Sequence, residues 1–327
     1  MDVRFITPEG ATEHDPSELP VLLRRDDGFT WVDMPVIDDA CAATLTQTFN
    51  LHPLALEACT TRNHVPTVHA YDDHIFLVLF SPLLGRAGHV HLLELDVVVG
   101  RNFLVTTHGP LNPAVDPAEA LKETDSVLRR IKEGRFRAST PTKTAYAIGS
   151  AIARRQRALI GDVAEKLPGL ELEVMSSRLT EPEALLEQMF LVRHELITAR
   201  TMAAQSHDIF ARVLMLDRWL TEKDSVLIRD LSDQFDRVRS IADGESQFLF
   251  GVIELYQTKV HTKMTVAMER LAVIAAVTLP ITAIASIVGM NVIVNDETHY
   301  LQLSIVLVVM LVMSGTLLRW ARRQGWW

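Results

Sequence analysis

The stretch that decides the fold is LAVIAAVTLPITAIASIVGM, residues 271–290. No Asp, Glu, Lys, Arg or His occurs between Arg270 and Asp296. A helix of about twenty residues spans about 30 Å, the thickness of the hydrocarbon core of a bilayer. A second apolar run, LQLSIVLVVMLVMSGTLL, occupies residues 301–318. The two runs predict two membrane-spanning helices; the alternative is a pair of buried helices in a soluble protein.

The residues that flank the two runs predict their orientation. The nearest cationic residues precede the first run or follow the second: Lys259, Lys263, Arg270, Arg319, Arg322 and Arg323. The connecting loop contains Asp296 and Glu297 but no Lys or Arg. The positive-inside rule then places both termini in the cytoplasm of a multi-pass protein of the inner or plasma membrane. The start of the chain, MDVRFITPEG, does not resemble a signal peptide.

Composition excludes several classes of protein. The 327 residues include 32 Lys and Arg against 41 Asp and Glu, a net charge of −9, which argues against a nucleic-acid partner. With 48% apolar and 22% charged residues, wholesale disorder is excluded. Two cysteines, Cys41 and Cys59, cannot form a disulfide framework. An enzyme finds no support, since no Gly-rich phosphate loop, HExxH or GxSxG motif occurs.

The first part of the chain mixes strand and helix patterns. Apolar, β-rich runs at residues 30–32, 74–80, 94–99 and 102–107 predict strands, and Ser81-Pro82 predicts a turn. Helical patterns cover residues 39–49 and 53–60. Short strands interleaved with helices predict an α/β cytoplasmic domain over residues 1–115.

Helical periodicity dominates from Asp116 onward. The pattern predicts helices over residues 117–133, 141–167 and 182–219, the second stopped by Pro168-Gly169, and a last helix from about Asp224. Apolar residues recur along that helix at spacings of three, four or seven: Leu227, Leu231, Phe235, Val238, Ile241, Phe248, Val252 and Leu255. A helix over 224–290 would be about 100 Å long. Such a helix needs lateral partners, and self-association is the simplest source.

The expected organisation is therefore an α/β domain, a helical cytoplasmic domain with its stalk, and two membrane helices. The stalk region covers residues 116–270, the first span 271–291, an outer loop 292–300, the second span 301–319 and a cytoplasmic tail 320–327.

The first span ends in Gly289-Met290-Asn291, where an apolar helix meets a short acidic loop before a second span. This arrangement resembles the CorA superfamily of divalent-cation channels, which carries Gly-Met-Asn at this place. Further stretches resemble the family in the same order along the chain: residues 31–33, 51–54, 71–77, 104–108, 268–271 and 279–282. The resemblance implies a homopentamer in which five copies of the first span line one axial pore, with the second spans outside.

The resemblance implies transport of Mg²⁺, with Co²⁺ and Ni²⁺, and no cofactor. Mg²⁺ dehydrates reluctantly, so a filter can recognise the hydrated ion through polar oxygens such as that of Asn291. A helix C-terminus adds unpaired carbonyls and the negative end of the helix dipole. Gly289, Met290 and Asn291 are the expected selectivity filter; an ordinary helix stop is the alternative. The partners implied are divalent cations, membrane lipid and further copies of the chain.

Steps of three or four residues below this mouth define one helix face. The residues expected to line the pore are Thr265, Met268, Leu271, Ala275, Leu279, Thr282 and Ser286. Helix–helix packing, which also uses small residues, is the alternative. In the outer loop Asp296 and Glu297 either concentrate cations or are simply solvated.

Stalk carboxylates bind regulatory Mg²⁺ in the family, and Asp230 and Glu254 fall at such positions. Thr265, Val288 and Asn295 depart from the family pattern, which leaves a ZntB-like zinc transporter as the alternative. An alternative of another class is a membrane-anchored helical interaction protein, which explains the long helix but not the Gly-Met-Asn sequence.

Overall fold

The structure is a computed structural model that describes residues 1–85, 88–110, 112–176, 182–216, 219–289 and 300–323. The chain divides into two compact units, residues 1–251 and 252–327. The first unit holds one seven-stranded sheet with helices on both faces, and the second holds the apolar helices near the end of the chain.

The sheet has the order β2-β1-β3-β7-β6-β5-β4. Only β3 and β7 pair in parallel; the other neighbours are antiparallel. The strands are β1 Asp2–Thr7, β2 Gly10–His14, β3 Phe29–Met34, β4 Thr67–Ala70, β5 His74–Leu84, β6 Val90–Gly100 and β7 Phe103–Thr107.

Alternate residues of the central strands face two separate apolar cores, as the period-two geometry of a strand requires. Trp31, Leu77 and Leu104 lie in the core that also contains residues of the later helices. Val32 and Phe76 lie in the core beneath the earlier helices. Both faces of the sheet are therefore covered, which explains the nearly continuous apolar sequence of β3, β5 and β6.

Three short helices cover one face, and longer helices cover the other. The helices are α1 Leu19–Leu22, α2 Asp39–Gln47, α3 Pro53–Thr60, α4 Pro117–Lys132, α5 Pro141–Ala164, α6 Leu167–Met175, α7 Pro182–Val213, α8 Glu222–Gly289 and α9 Tyr300–Arg323. Side chains cap several N-termini: Asp116 accepts from the Ala118 amide of α4 at 3.0 Å, and Thr140 accepts from the Lys143 amide of α5 at 3.1 Å.

The predicted fold class is confirmed for the α/β domain, the long helix and the two apolar helices near the end of the chain. The 68 residues of α8 continue from the first unit into the apolar run without interruption. Its start near Asp224 and the helices beginning at Pro117, Pro141 and Pro182 are confirmed.

Two breaks expected at prolines are wrong. Strand β5 continues through Ser81-Pro82 to Leu84 instead of turning. Beyond Val78 it pairs with β6 but no longer with β4, and Pro is tolerated where a strand has a free edge. Pro168 does not stop α5, which ends at Ala164; it lies in the first turn of α6, where its missing N–H costs nothing.

The predicted apolar stripe of α8 divides into two faces. Leu231, Phe235 and Val238 are buried, together with Ile228 and Ala242, and Phe235 stacks on Phe210 of α7 with ring centroids 5.6 Å apart. A second set at seven-residue spacing is exposed: Ile241 is 38% accessible, Phe248 41% and Leu255 40%. The buried set belongs to the core of the chain, and the exposed set is an apolar face that this chain does not cover.

Candidate functional site

Two helical stretches of the described chain are long and apolar enough to cross a membrane. They are Glu222–Ile287, within α8, and Leu303–Arg323, within α9. They overlap the two predicted spans, residues 271–291 and 301–319, and very few residues of their most apolar segments are buried within the chain. The apolar surface of these segments therefore needs lipid or protein around it.

The residues predicted to line a pore share one face of α8. At 3.6 residues per turn they fall within an arc of about 120°. All are exposed, with Met268 at 61%, Leu271 at 65% and Leu279 at 67%. The less exposed residues of this part of α8 lie on the other side of the helix. They are Val273, Ala276, Val277, Pro280, Ile281 and Ile284. The hydroxyl- and methionine-bearing face is thus exposed, as are neighbouring positions such as Ile274 and Ile287.

The threonine hydroxyls on α8 donate to the helix itself. Thr265 Oγ1 donates to the His261 carbonyl at 3.0 Å, and Thr282 Oγ1 donates to the Thr278 carbonyl at 2.9 Å. Each hydroxyl proton is therefore used within the helix, and the lone pairs of the oxygen remain as acceptors. An acceptor oxygen on an open face suits the water shell of a cation, whose water protons point outward.

Pro280 lies inside α8. Because proline has no N–H, the carbonyl of Ala276 has no partner four residues further on. The helix nevertheless continues to Gly289, so the break expected of a proline in a helix is confined to one missing hydrogen bond.

Gly289 is the last residue of α8 and is exposed. A Cβ built on it meets no heavy atom of the described residues within 4 Å. The other residues of the predicted mouth, Met290, Asn291, Asp296 and Glu297, lie outside the described residues. Any need for a glycine at position 289 must therefore arise from something other than the described part of this chain.

Asp230 is held by two donors within the chain. Tyr146 Oη donates to its Oδ2 at 2.7 Å, and Gln234 Nε2 donates to the same oxygen at 2.7 Å. The tyrosine hydrogen bond is the largest cause that lowers the pKa of Asp230, with Gln234 and the charge of Arg237 acting in the same direction. The carboxylate is therefore anionic at neutral pH and accessible in part.

Sequence reasoning missed Tyr146 as a partner of Asp230. Gln234 follows Asp230 by one helical turn and could have been expected from that spacing. Tyr146 lies 84 residues away on α5, and its contact depends on how α5 packs against α8. Nothing in the local sequence of either residue indicates that pairing.

The predicted acids do not form a metal centre within the described chain. Glu254 is exposed, and among the described residues no three His, Cys, Asp or Glu side chains are grouped so that they could hold a metal ion. A cation at Asp230 would need its other ligands from water or from another molecule.

Comparison with known proteins agrees with these features. The family described as "CorA-like Mg2+ transporter protein" matches residues 26–323. The Bacillus subtilis (strain 168) protein YfjQ is 24% identical over 322 residues, covering 96% of each chain. The cobalt/magnesium transport protein CorA of Thermotoga maritima is 22% identical over 304 residues, covering 91% of this chain and 83% of that one.

Solved structures share the fold over all or most of the chain. The CorA magnesium transporter of Methanocaldococcus jannaschii has a TM-score of 0.79 at 16% identity, covering 100% of this chain and 99% of that one. The ZntB cytoplasmic domain of Vibrio parahaemolyticus has a TM-score of 0.62 at 9% identity, covering 80% of this chain and 98% of that one.

Proposed function

The chain belongs to the CorA-like Mg²⁺ transporter family and is a transporter of divalent cations, and from that premise we propose that it conducts hydrated Mg²⁺ as a homopentameric channel. Co²⁺ and Ni²⁺ are further substrates in this proposal. The first span of five copies lines the pore, and residues 289–291 form its outer mouth and selectivity filter.

One observation carries the proposal: α8 presents an open face of hydroxyl, small and methionine side chains that leads to its end at Gly289. Thr282 and Ser286 supply oxygen on that face. In a pentamer, the five copies of Met268 form an apolar ring around the pore, and so do those of Leu271 and of Leu279. Such rings can close the pore by excluding water. Packing against lipid does not require hydroxyl groups aligned with the helix end.

The mouth suits a hydrated dication for electrostatic reasons. The last carbonyls of a helix have no intrahelical partner and carry the negative end of the dipole. Five such ends attract a cation without the fixed carboxylates that would trap it. The Asn291 carboxamide then accepts hydrogen bonds from the water shell of the ion, which Mg²⁺ gives up reluctantly. Asp296 and Glu297 raise the local concentration of cations in front of the mouth.

The proposal places both termini in the cytoplasm. Cationic residues lie before the first apolar run, at Lys263 and Arg270, and after the second run, at Arg319 and Arg322. By the positive-inside rule both of these ends face the cytoplasm. The exposed side chains of Phe248 and Leu255 lie against other subunits, which supplies the lateral support that a long helix needs.

The test is ion uptake by proteoliposomes that contain the purified chain. Mg²⁺, Co²⁺, Ni²⁺ and Zn²⁺ are compared with and without a proton gradient, and native mass spectrometry counts the subunits. Mg²⁺ uptake without a proton gradient by a pentamer is expected. Zinc uptake that depends on the gradient, with no Mg²⁺ uptake, would establish the ZntB-like alternative instead.

Two substitutions address the filter. Asn291→Ala and Gly289→Ala are expected to reduce uptake by more than tenfold, because the first removes the carboxamide and the second narrows the mouth where five helices meet. Gly315→Ala on α9 is the matched control, since a Cβ there also meets no heavy atom within 4 Å in the part of the chain that the structure describes. Normal uptake by both filter variants, in pentamers of normal yield, would contradict the assignment.

A further inference from the structure

A groove between α5 and α8 in the first unit is lined by arginines. Arg154 and Arg157 stand one turn apart on α5, and Arg237 faces them from α8. Ala153, Val238 and Ile241 form its aliphatic part, and no acidic residue is among those that line it. The groove encloses about 520 Å³ and is open to solvent.

None of the three guanidinium groups is in direct contact with an acidic side chain of the described residues, although the charge of Arg237 acts on Asp230 from a distance. No ion pair or side-chain hydrogen bond joins Arg154, Arg157 or Arg237 to another residue in the described part of the chain. Their neighbour Arg155 differs, because it binds Glu119 at 2.9 Å and Glu123 at 3.0 Å. The chain therefore satisfies the arginine that points to α4 and leaves unpaired the three that line the groove.

One groove arginine, Arg154, lies near a further cation, Arg130, which does not line the groove. Burial and the nearby charge of Arg130 lower the pKa of Arg154. Since an arginine remains protonated at neutral pH, the mutual repulsion persists in the folded protein. A bound anion would relieve the repulsion between Arg154 and Arg130.

We propose that this groove binds a nucleoside triphosphate, with the phosphates on the three arginines and the base against the aliphatic residues. Each guanidinium group can donate two hydrogen bonds to a pair of phosphate oxygens. A triphosphate has enough oxygens to bind three arginines in this way, whereas a single carboxylate has only two oxygens. A volume of about 520 Å³ lies in the range of small-molecule sites. The aliphatic part distinguishes a nucleotide from inorganic phosphate, which has no apolar surface to bury.

This site is separate from the proposed pore. Its residues lie outside the predicted spans, and its ligand is an anion instead of the transported cation. The binding measurement needs no ion flux, so it can succeed or fail whatever the transport assay shows.

The test is equilibrium binding of labelled ATP to the full-length chain in detergent, with EDTA present, so that no divalent ion bridges the nucleotide to carboxylates. Saturable binding is expected at millimolar ATP or below, and it should weaken as KCl is raised. Inorganic triphosphate should compete, but less well than ATP. Triphosphate that competes equally would show that the aliphatic residues contribute nothing, and would overturn the nucleotide assignment.

Substitutions locate the site. Arg237→Gln and Arg154→Gln should each weaken ATP binding at least about tenfold, since each removes a charge-assisted contact. Arg237→Lys should give an intermediate affinity, because the charge remains but the fork is lost. Arg229→Gln is the matched control on the same helix, outside the groove, and should bind ATP normally.

Two further results would overturn the proposal. One is ATP binding that Arg229→Gln weakens as much as Arg237→Gln does, which would indicate a general charge effect. The other is that the unaltered protein does not bind ATP, while Arg154→Gln and Arg237→Gln form fewer oligomers than the unaltered protein does. That result would show that acidic side chains of a second copy occupy the groove. Circular dichroism of each variant verifies that the helices are intact.

Discussion

Asp96 lies on β6 and is fully buried. Thr107 Oγ1 donates to its Oδ2 at 3.0 Å, whereas its Oδ1 has no hydrogen-bond partner in the described chain. Burial is the main cause that raises the pKa of Asp96 well above its usual value, and the nearby charge of Glu94 adds to the effect. The sheet thus contains a carboxyl group that folding favours in its neutral form.

This environment makes stability depend on pH in a definite direction. The unfolded carboxyl loses its proton near pH 4, whereas the folded one retains it to higher pH. Stability therefore falls as pH rises from about 4 toward the raised pKa. Asp96→Asn should remove that loss and raise the melting temperature at neutral pH, with little difference from the unaltered protein near pH 4.

The measurement is the melting temperature of the full-length protein in detergent from about pH 4 to pH 8. Asp125→Asn, which changes an exposed carboxylate of α4, is the control and should leave the pH profile unchanged. A profile for Asp96→Asn that runs parallel to that of the unaltered protein would show that the buried carboxyl does not control the pH dependence.

At the scale of single residues, spacing along one helix predicts which side chains share a face. Contacts between residues that are distant in the sequence cannot be predicted in this way. The face of α8 that contains Met268, Leu279 and Thr282 follows from counting residues, and the structure leaves that face open. The burial of Asp96 and the contact of Tyr146 with Asp230 depend on which strands and helices meet. Those pairings are set by the packing of the whole domain, so a local pattern does not contain them.

At the scale of elements, α5 and α8 approach each other closely at Gly149. A Cβ built on Gly149 lies 2.7 Å from Cδ2 of Leu231, whose side chain is completely buried. Neither α8 nor the leucine can retreat without disturbing the core around Phe235 and Ile148. The glycine therefore sets the distance between the two helices.

Gly149→Ala is expected to destabilise the protein by about 1–3 kcal/mol through overpacking, reduced by the helix propensity that alanine gains. Gly161→Ala on the same helix is the matched control, since a Cβ there meets nothing within 4 Å. It should stabilise the helix by up to about 1 kcal/mol. Chemical denaturation of both variants measures the difference, and equal effects of the two substitutions would refute the role of Gly149.

Element types were more predictable than element ends. The helices beginning at Pro53, Pro117, Pro141 and Pro182 start where the sequence predicts, because proline is favoured in a first turn. Strands β1, β2 and β4 were not predicted. β4 is four residues long with no buried residue, and β2 is an edge strand without a buried residue, so neither presents the apolar alternation that identifies a strand.

At the scale of the whole molecule, a single chain leaves two faces of α8 without cover. One is the apolar set Ile241, Phe248 and Leu255, and the other contains Met268 and Leu279. Exposed apolar surface of this extent indicates association. The number of subunits does not follow from the exposed residues of one chain, so the pentamer rests on the family resemblance and on direct measurement.

We propose that association of subunits allows regulation of uptake through Asp230. Its pKa is lowered by Tyr146 and Gln234, so the carboxylate is charged when subunits meet. If acidic groups of two subunits face each other there, Mg²⁺ between them screens their repulsion. Occupied sites then hold the assembly closed, and empty sites let the subunits separate and open the pore. Uptake of Mg²⁺ would thus be limited by the Mg²⁺ that has already entered the cytoplasm.

We expect Mg²⁺ to slow proteolysis of the cytoplasmic region severalfold in the unaltered protein. Asp230→Asn should weaken that protection, because the ion loses a charged ligand, and Asp230→Lys should partly replace the ion by supplying a fixed positive charge. Asp233→Asn, three residues further along the same helix and exposed, is the control and should be protected normally. Proteolysis rates of the unaltered protein that do not respond to Mg²⁺ would eliminate this feedback, while the channel itself would still be judged by ion uptake.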